Sequence, residues 1–409
     1  MFDWLLFFEV LIGGLLSGVM YSLVALGFVL IFKASGVFNF AQGALVLFAA
    51  LSFVVILEMG EGGTGFWTWT GWLAIVFAAL ALLLFFADRT KGASAKWIER
   101  LSEPSTGKRI AIIASVLTIV IFPFIVDGGH IMWRAIFVIL LIFLSFTVGL
   151  RQPKTALVVL SAVALLAFFA EGLNFWRSLA LTLALMIALA QAIEGIVLRQ
   201  LVNQEHIILF MATIGLNYVL EGIAQGVWDA QVHGLDIGIE DMPFEVGGIY
   251  ISQFDVFAAI TAGGLVTCLA IFFSRTRIGR ALRAVADDHQ AALTVGIPLQ
   301  TIWGVVWGAA GIVALVAGLL WGSKLGVQFS LVLLAYKALP VLILGGFTSV
   351  PGAIVGGLLV GATEKLFEFY IGIPILDGGT ESWSPYMLAL LFLLFRPQGL
   401  FGDKIIERV

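Results

Sequence analysis

LALTLALMIALAQAI, residues 179–193, is apolar on every side of a helix and shows no alternation of period two. Such a stretch has no polar face to offer water. In hydrocarbon a backbone satisfies its own N–H and C=O groups only as a helix or as a closed barrel. The missing alternation excludes the barrel, so the fold reads as an all-α polytopic membrane protein. Composition agrees: of 409 residues, 61% are hydrophobic and only 12% charged, against roughly 25% charged in soluble domains. The net charge of −4 offers nucleic acid no basic surface. The single cysteine, Cys268, leaves no disulfide framework.

On either side of that stretch, further apolar runs come close to the ~20 residues of a membrane span. Together they fall at 10–32, 37–57, 66–87, 110–126, 132–150, 155–170, 177–198, 207–228, 251–273, 302–322, 329–345, 352–371 and 384–396. That is about 13 transmembrane or re-entrant helices. Basic residues collect on the cytoplasmic side of a membrane, which tests the count. With the amino terminus outside, the inner loops hold Lys33, Arg89, Lys91, Lys96, Arg100, Lys108, Arg109, Arg151, Lys154, Arg199, Arg275, Arg277, Arg280 and Arg283. The cytoplasmic carboxy terminus adds Arg396, Lys404 and Arg408, so 17 of the 22 basic residues share one side. Opposite loops are acidic: Glu58, Glu61, Asp127, Glu171, Asp229, Asp236, Glu240, Asp241, Glu245, Asp377 and Glu381. One misplaced span would invert this pattern downstream of it. The start, MFDWLLFFEV, carries Asp3 and Glu9 and no basic residue, so it is expected to be kept as part of the first helix.

Three motifs carry chemical content. In KASGVFNFAQG, residues 33–43, Asn39 and Gln42 lie between two apolar runs and are flanked by Gly36 and Gly43. An unpaired amide in hydrocarbon is costly, so both are expected to face protein or a watery cavity. They fit either a broken helix whose ends pass a polar solute or a hairpin cap at the membrane face. In YKALPVLILGGFTSVPGAIVGGLLVGATEKL, residues 336–366, Gly345, Gly346, Gly352, Gly356, Gly357 and Gly361 have the spacing of close helix packing. Lys337 and Glu364 there could pair, reach an interface, or line a path. In SRTRIGRALRAVADDHQAALTVGIP, residues 274–298, four arginines precede an amphipathic pattern with Leu282, Val285, Ala286 and Leu293 near one face. A helical loop this long reads as a docking surface for a cytoplasmic partner. No nucleotide-binding glycine loop, metal-ligand spacing or nucleophile elbow occurs, so the chain is read as no enzyme, with no metal or catalytic residue.

At these motifs the sequence resembles the LivH-type permease subunits of branched-chain amino acid ABC importers. YSLVALGFVLIFKASGVFNFAQG at 21–43 matches the family's opening pattern. QAALTVG at 290–296 fits its coupling motif, with Gln290 where Glu is usual. Lys337, Gly345, Gly346, Pro351, Gly352, Gly356, Gly357 and Glu364 follow its lysine, double-glycine, Pro-Gly and glutamate series. FRPQGLFG at 395–402, IEGIVLRQLV at 193–202 and ATIGLNYVLEG at 212–222 also match. Ala44 departs from an acidic residue common in the family. The likeness covers about 1–58 and 177–402. Residues 59–176 have no counterpart and read as an inserted four-helix packet between the core segments 1–58 and 177–409, the latter holding the coupling loop 274–300.

The resemblance implies a multi-pass protein of the bacterial inner membrane that forms a translocation path with a second permease. Two cytoplasmic ATPases would consume ATP, a periplasmic or extracellular solute-binding protein would deliver the solute, and this chain would hold no cofactor. It also implies Asn39, Gln42, Asn217, Lys337 and Glu364 on the path, and Arg280, Arg283, Gln290, Ala291, Ala292 and Gly296 in coupling. The solute is then a branched-chain or other small amino acid, with urea, a short amide or an aromatic acid as alternatives. A secondary transporter of another class would need intramembrane carboxylates, for which Glu221 and Glu364 are the candidates, and an internal repeat.

Overall fold

The computed structural model describes residues 3–62, 174–197, 201, 204–228, 231–287 and 289–402. The runs at 66–87, 110–126, 132–150 and 155–170 lie outside the described residues, as does most of the inserted packet. Two compact units are resolved, one of residues 1–51, 198–223 and 230–409, the other of residues 52–197 and 224–229.

The first unit is built on α1, Trp4–Ser35, which extends beyond the 10–32 run at both ends. The Asp3 side chain accepts from the N–H groups of Leu5 and Leu6 and starts the helix. Gly36, left-handed at φ 67°, ends it by donating to the Phe32 carbonyl. At 32 residues it is roughly 48 Å long. After a break at 36–41, α2 runs Gln42–Gly62. In the second unit, α3 (Asn174–Ala192) passes into a π-helical turn over Ile193–Val197. Phe53 and Phe175 meet there edge to face, centroids 5.3 Å apart.

Next come α4, His206–Trp228, and a two-stranded hairpin, β1 (Pro243–Val246) and β2 (Ile249–Ser252), turning at Gly247 and Gly248. The hairpin departs from the all-helical expectation. Both turn glycines have positive φ, and IYIS is a β-branched and aromatic run too short for a helix. Then follow α5 (Gln253–Arg275), α6 (Arg277–Asp287), α7 (His289–Thr294) and α8 (Leu299–Leu325). A 3-10 turn at Phe329–Leu333 leads into α9 (Leu334–Gly345) and α10 (Val350–Phe367). A π turn at Glu368–Gly372, the short α11 (Ile373–Leu376), a 3-10 turn at Thr380–Ser382 and α12 (Ser384–Phe395) complete the described chain.

Among the described residues six helical segments are long and apolar enough to cross a membrane, at Trp4–Ser35, Ser178–Gly195, Ile207–Gly226, Gln253–Arg275, Thr301–Leu325 and Val350–Leu376. Shorter apolar helices span Gln42–Glu58, Phe329–Gly345 and Ser384–Phe395. Each coincides with one of the runs read outside the insert.

The core of the first unit is the antiparallel crossing of α1 and α10. A Cβ on Gly14 would lie 2.7 Å from the Gly361 carbonyl oxygen. One on Gly18 would overlap the Gly357 carbonyl, and one on Gly361 the Gly14 carbonyl. Gly14, Gly18 and Ser22 repeat every fourth residue, as Gly357 and Gly361 do, so two small-residue ridges face each other and the backbones touch. Ser22 Oγ lies in the seam and donates to the Gly18 carbonyl at 2.9 Å, with the Ile354 carbonyl of α10 also within reach at 3.3 Å. The α9–α10 turn repeats the device: a Cβ on Gly345 or Gly352 would overlap the other's carbonyl, and one on Gly356 would meet the Val341 carbonyl oxygen 2.5 Å away.

Candidate functional site

The break between α1 and α2 brings polar groups into this apolar core. Asn39 and Gln42 are both 0% exposed, and Asn39 Nδ2 donates to Gln42 Oε1 at 3.4 Å. Gln42 lies against Gly27, where a Cβ would overlap its amide. Gly27 is two turns back from the end of α1, so α2 starts roughly 12 Å inside that end. The amides are therefore packed inside the protein rather than exposed at a helix end. Asn39 Oδ1 and Gln42 Nε2 have no hydrogen-bond partner among the described residues, leaving one acceptor and one donor buried together.

Thr213 of α4 fixes the loop. Its Oγ1 accepts from the Phe40 N–H at 3.1 Å, and its one proton is shared between the carbonyls of Phe210 at 2.9 Å and Phe38 at 3.0 Å. Asn217, four residues further along α4 and so on the same face, is buried, and its Oδ1 has no partner among the described residues. Aromatic rings close the loop's other sides. Phe38 stacks on Phe28 with centroids 5.1 Å apart, and Phe40 meets Phe210 and Tyr336 edge to face at 5.9 and 5.4 Å. Trp303 Nε1 donates to the Ala34 carbonyl at 2.9 Å and ties the end of α1 to α8.

One helical turn and a half nearer the start of α1, Tyr21 joins the ionic pair of α9 and α10. Lys337 Nζ lies 2.7 Å from Glu364 Oε1 and 3.2 Å from the Tyr21 hydroxyl, which itself donates to Glu364 Oε1 at 3.2 Å. Tyr21 stacks on Trp321 at 5.2 Å. Of the three arrangements open to Lys337 and Glu364, the structure has the pair. It is lopsided: the Glu364 side chain is 1% exposed and that of Lys337 31%. An ammonium has three donors; two are used inward on Tyr21 and Glu364. Tyr336, the preceding residue, is also exposed.

At the opposite end of α5 from the hairpin stands the basic segment. Here the structure corrects the single amphipathic face. Leu282 and Val285 of α6 are buried, but in α7 Leu293 is 55% exposed and Ala292 is buried in its place. Ala291 is exposed, and Gln290 lies in the first turn of α7. Gly296, at φ 84°, ends α7: Ile297 N–H donates to the Ala292 carbonyl and Gly296 N–H to that of Leu293, both at 3.0 Å. These two bonds form a Schellman motif, which needs a left-handed residue at Gly296. Arg280 is exposed, and Arg283 reaches back to the Ser274 carbonyl at 3.4 Å.

The sequence reading missed Gly14, Gly18, Gly27, Tyr21, Thr213 and Gly279. A Cβ on Gly279 would overlap the Phe273 carbonyl, so only glycine lets α6 fold back on α5. The fourfold spacing of Gly14, Gly18 and Ser22 was legible; the partners of Tyr21 and Thr213 come from elements far away in sequence. The terminal FRPQGLFG stretch also acquires a role. Leu400 N–H donates to the Leu344 carbonyl and Phe401 N–H to that of Gly345, laying the tail across the α9–α10 turn.

A family model described as branched-chain amino acid transport system, permease component, matches residues 154–395. The high-affinity branched-chain amino acid transport system permease protein BraD of Pseudomonas aeruginosa is 26% identical over 260 residues, 62% of this chain and 83% of the relative. The corresponding permease LivH of Salmonella typhimurium is 30% identical over 232 residues, covering 53% of this chain and 71% of the relative. LivH of Escherichia coli K12 is 29% identical over 228 residues, with the same coverages of 53% and 71%. No solved structure matches. Helix α1, which precedes the matched residues, packs on them through the α1–α10 crossing. The chain therefore belongs to the family of branched-chain amino acid transport system permease components, as a multi-pass membrane permease subunit of an ATP-binding cassette importer.

Proposed function

We propose that this permease forms, with a second permease, the path for branched-chain or other small amino acids across the bacterial inner membrane. Asn39, Gln42, Asn217, Lys337 and Glu364 are its polar groups. The observation that carries this reading is Lys337, a cation partly uncovered on an otherwise apolar helix. A charge facing lipid is costly, so its uncovered part faces either a polar path or the second permease beside it. The buried amides Asn39 and Gln42 would become accessible when the helices rock apart.

The amino terminus lies outside and the carboxy terminus in the cytoplasm, with about thirteen spans; the family match starts at residue 154 and takes in the run at 155–170, so the inserted part outside that match is 59–153. Two ATPases dock on the 274–300 segment through Arg280, Gln290, Ala291 and the exposed end of α7, with Arg283, Ala292 and Gly296 holding its shape. A solute-binding protein delivers to the acidic face. The relatives' names support this assembly, since they describe components of transport systems.

Reconstitution tests it. The chain is placed in proteoliposomes with its second permease and ATPases, and uptake of L-leucine is followed with binding protein and ATP. Uptake that needs both is the expected result. Gradient-driven uptake by this chain alone would make it a secondary transporter instead.

A further inference from the structure

The hairpin at the far end of α5 is used by none of the chemistry above. A two-stranded hairpin alone is marginal in water, yet this one is held at several points. Tyr250 N–H donates to Glu9 of α1 at 3.4 Å, Gln253 N–H to the Met242 carbonyl at 3.4 Å, and Ser252 Oγ bonds Asp241 and caps α5 through the Asp255 N–H. The preceding loop is joined to the end of α8 by paired backbone bonds between His233 and Val327, at 3.0 and 2.8 Å. The surface is thus preorganised, which lowers the ordering cost of binding.

What it presents is apolar and acidic at once. Met242, Val246 and Tyr250 are 62%, 54% and 57% exposed, and Glu245 stands opposite Tyr250 across the ladder. Asp236, Glu240 and Glu245 are exposed around them. No lysine or arginine occurs in residues 229–252. Lys324 and Lys365 are bound to Asp255 and Glu381. The stretch therefore carries no lysine or arginine of its own to offset its carboxylates. An anionic lipid surface would repel it, whereas a soluble protein with Lys and Arg around an apolar centre would complement it.

We infer that the 236–250 hairpin surface is where this permease docks the solute-binding protein, through a basic rim on that protein seated around Tyr250. The inference rests on the importer reading and on the outward orientation of the hairpin. It is tested on the complete importer in lipid nanodiscs, by titrating its binding protein and reading the concentration for half-maximal stimulation of ATP hydrolysis. Glu240→Lys/Glu245→Lys should raise that concentration about tenfold or more at low salt. The unmodified complex should lose affinity as salt is raised, and the variant much less. Met242→Ser/Tyr250→Ser should raise it without altering the salt dependence. Copurification of all subunits shows that the variants assemble. Unmodified stimulation in both variants overturns the docking assignment alone. A binding protein that never stimulates the unmodified complex overturns the importer reading along with it. A dye on Tyr250→Cys that reports bilayer contact, and is unchanged by binding protein, would assign the hairpin to lipid and also overturn the inference.

Discussion

Lys337 and Glu364, 27 residues apart on neighbouring antiparallel helices, form a 2.7 Å ion pair in which only the lysine reaches the surface. Burying a carboxylate is costly unless it is paired, so the two substitutions have unequal consequences alone and together. Lys337→Met leaves Glu364 charged and unpaired and should destabilise the purified chain by about 3–5 kcal/mol. Lys337→Met/Glu364→Leu should recover most of that loss in thermal unfolding. Uptake should stay low in both, because the path loses its cation either way. Recovery of uptake in the double variant would show that the pair serves packing alone.

The α1–α10 seam should tolerate no added carbon. Gly18→Ala or Gly357→Ala would drive a methyl group into a backbone carbonyl or into Ser22, forcing apart the central helix pair. We expect each to lower the thermal midpoint and the yield of assembled complex sharply. Gly13→Ala, one residue off the ridge with nothing within 4 Å, should instead stabilise by about 0.4–1 kcal/mol. Equal behaviour of the Gly13 and Gly18 variants would refute the seam.

Replacing Gly296 separates coupling from folding. A valine at φ 84° is strained and should disturb the end of α7 while leaving the membrane core assembled. ATP hydrolysis by the complex should then persist with uptake reduced tenfold or more. Asn, which adopts left-handed backbone more readily, should restore part of the uptake. Full uptake in Gly296→Val would remove this turn from coupling.

Thr213→Val keeps the shape of the side chain and deletes both hydrogen bonds to the 38–40 loop. The cost is about 1–3 kcal/mol, because the Phe40 N–H is left without its acceptor. Loosening of the loop should show as faster modification of Asn39→Cys by a membrane-permeant thiol reagent in a cysteine-free background. An unchanged rate would mean that the aromatic rings hold the loop unaided.

Much of this was readable in the sequence, for identifiable reasons. LALTLALMIALAQAI specifies a helix without a water face, and the described helices of the core each fall on an apolar run. The Gly345–Gly361 spacing announced close packing, and the arginine-rich segment announced a structured loop. The single amphipathic face proposed for 274–298 failed at Leu293, because α6 and α7 are separate helices and α7 buries Ala292 instead. The hairpin was missed because eight ladder residues carry too little periodicity to stand out between long apolar runs.

By itself the sequence determined the membrane class, the helical segments and the residues that had to avoid lipid, since hydropathy and charge act locally along a chain. Which groups those residues meet was decided only by the tertiary structure. Gly18 opposite Gly357, Gln42 against Gly27, and Tyr21 beside Lys337 and Glu364 are separated by 15 to 343 residues. Such pairings follow from how whole helices cross, because backbone contact at a glycine seam and the satisfaction of a buried charge are properties of two elements at once.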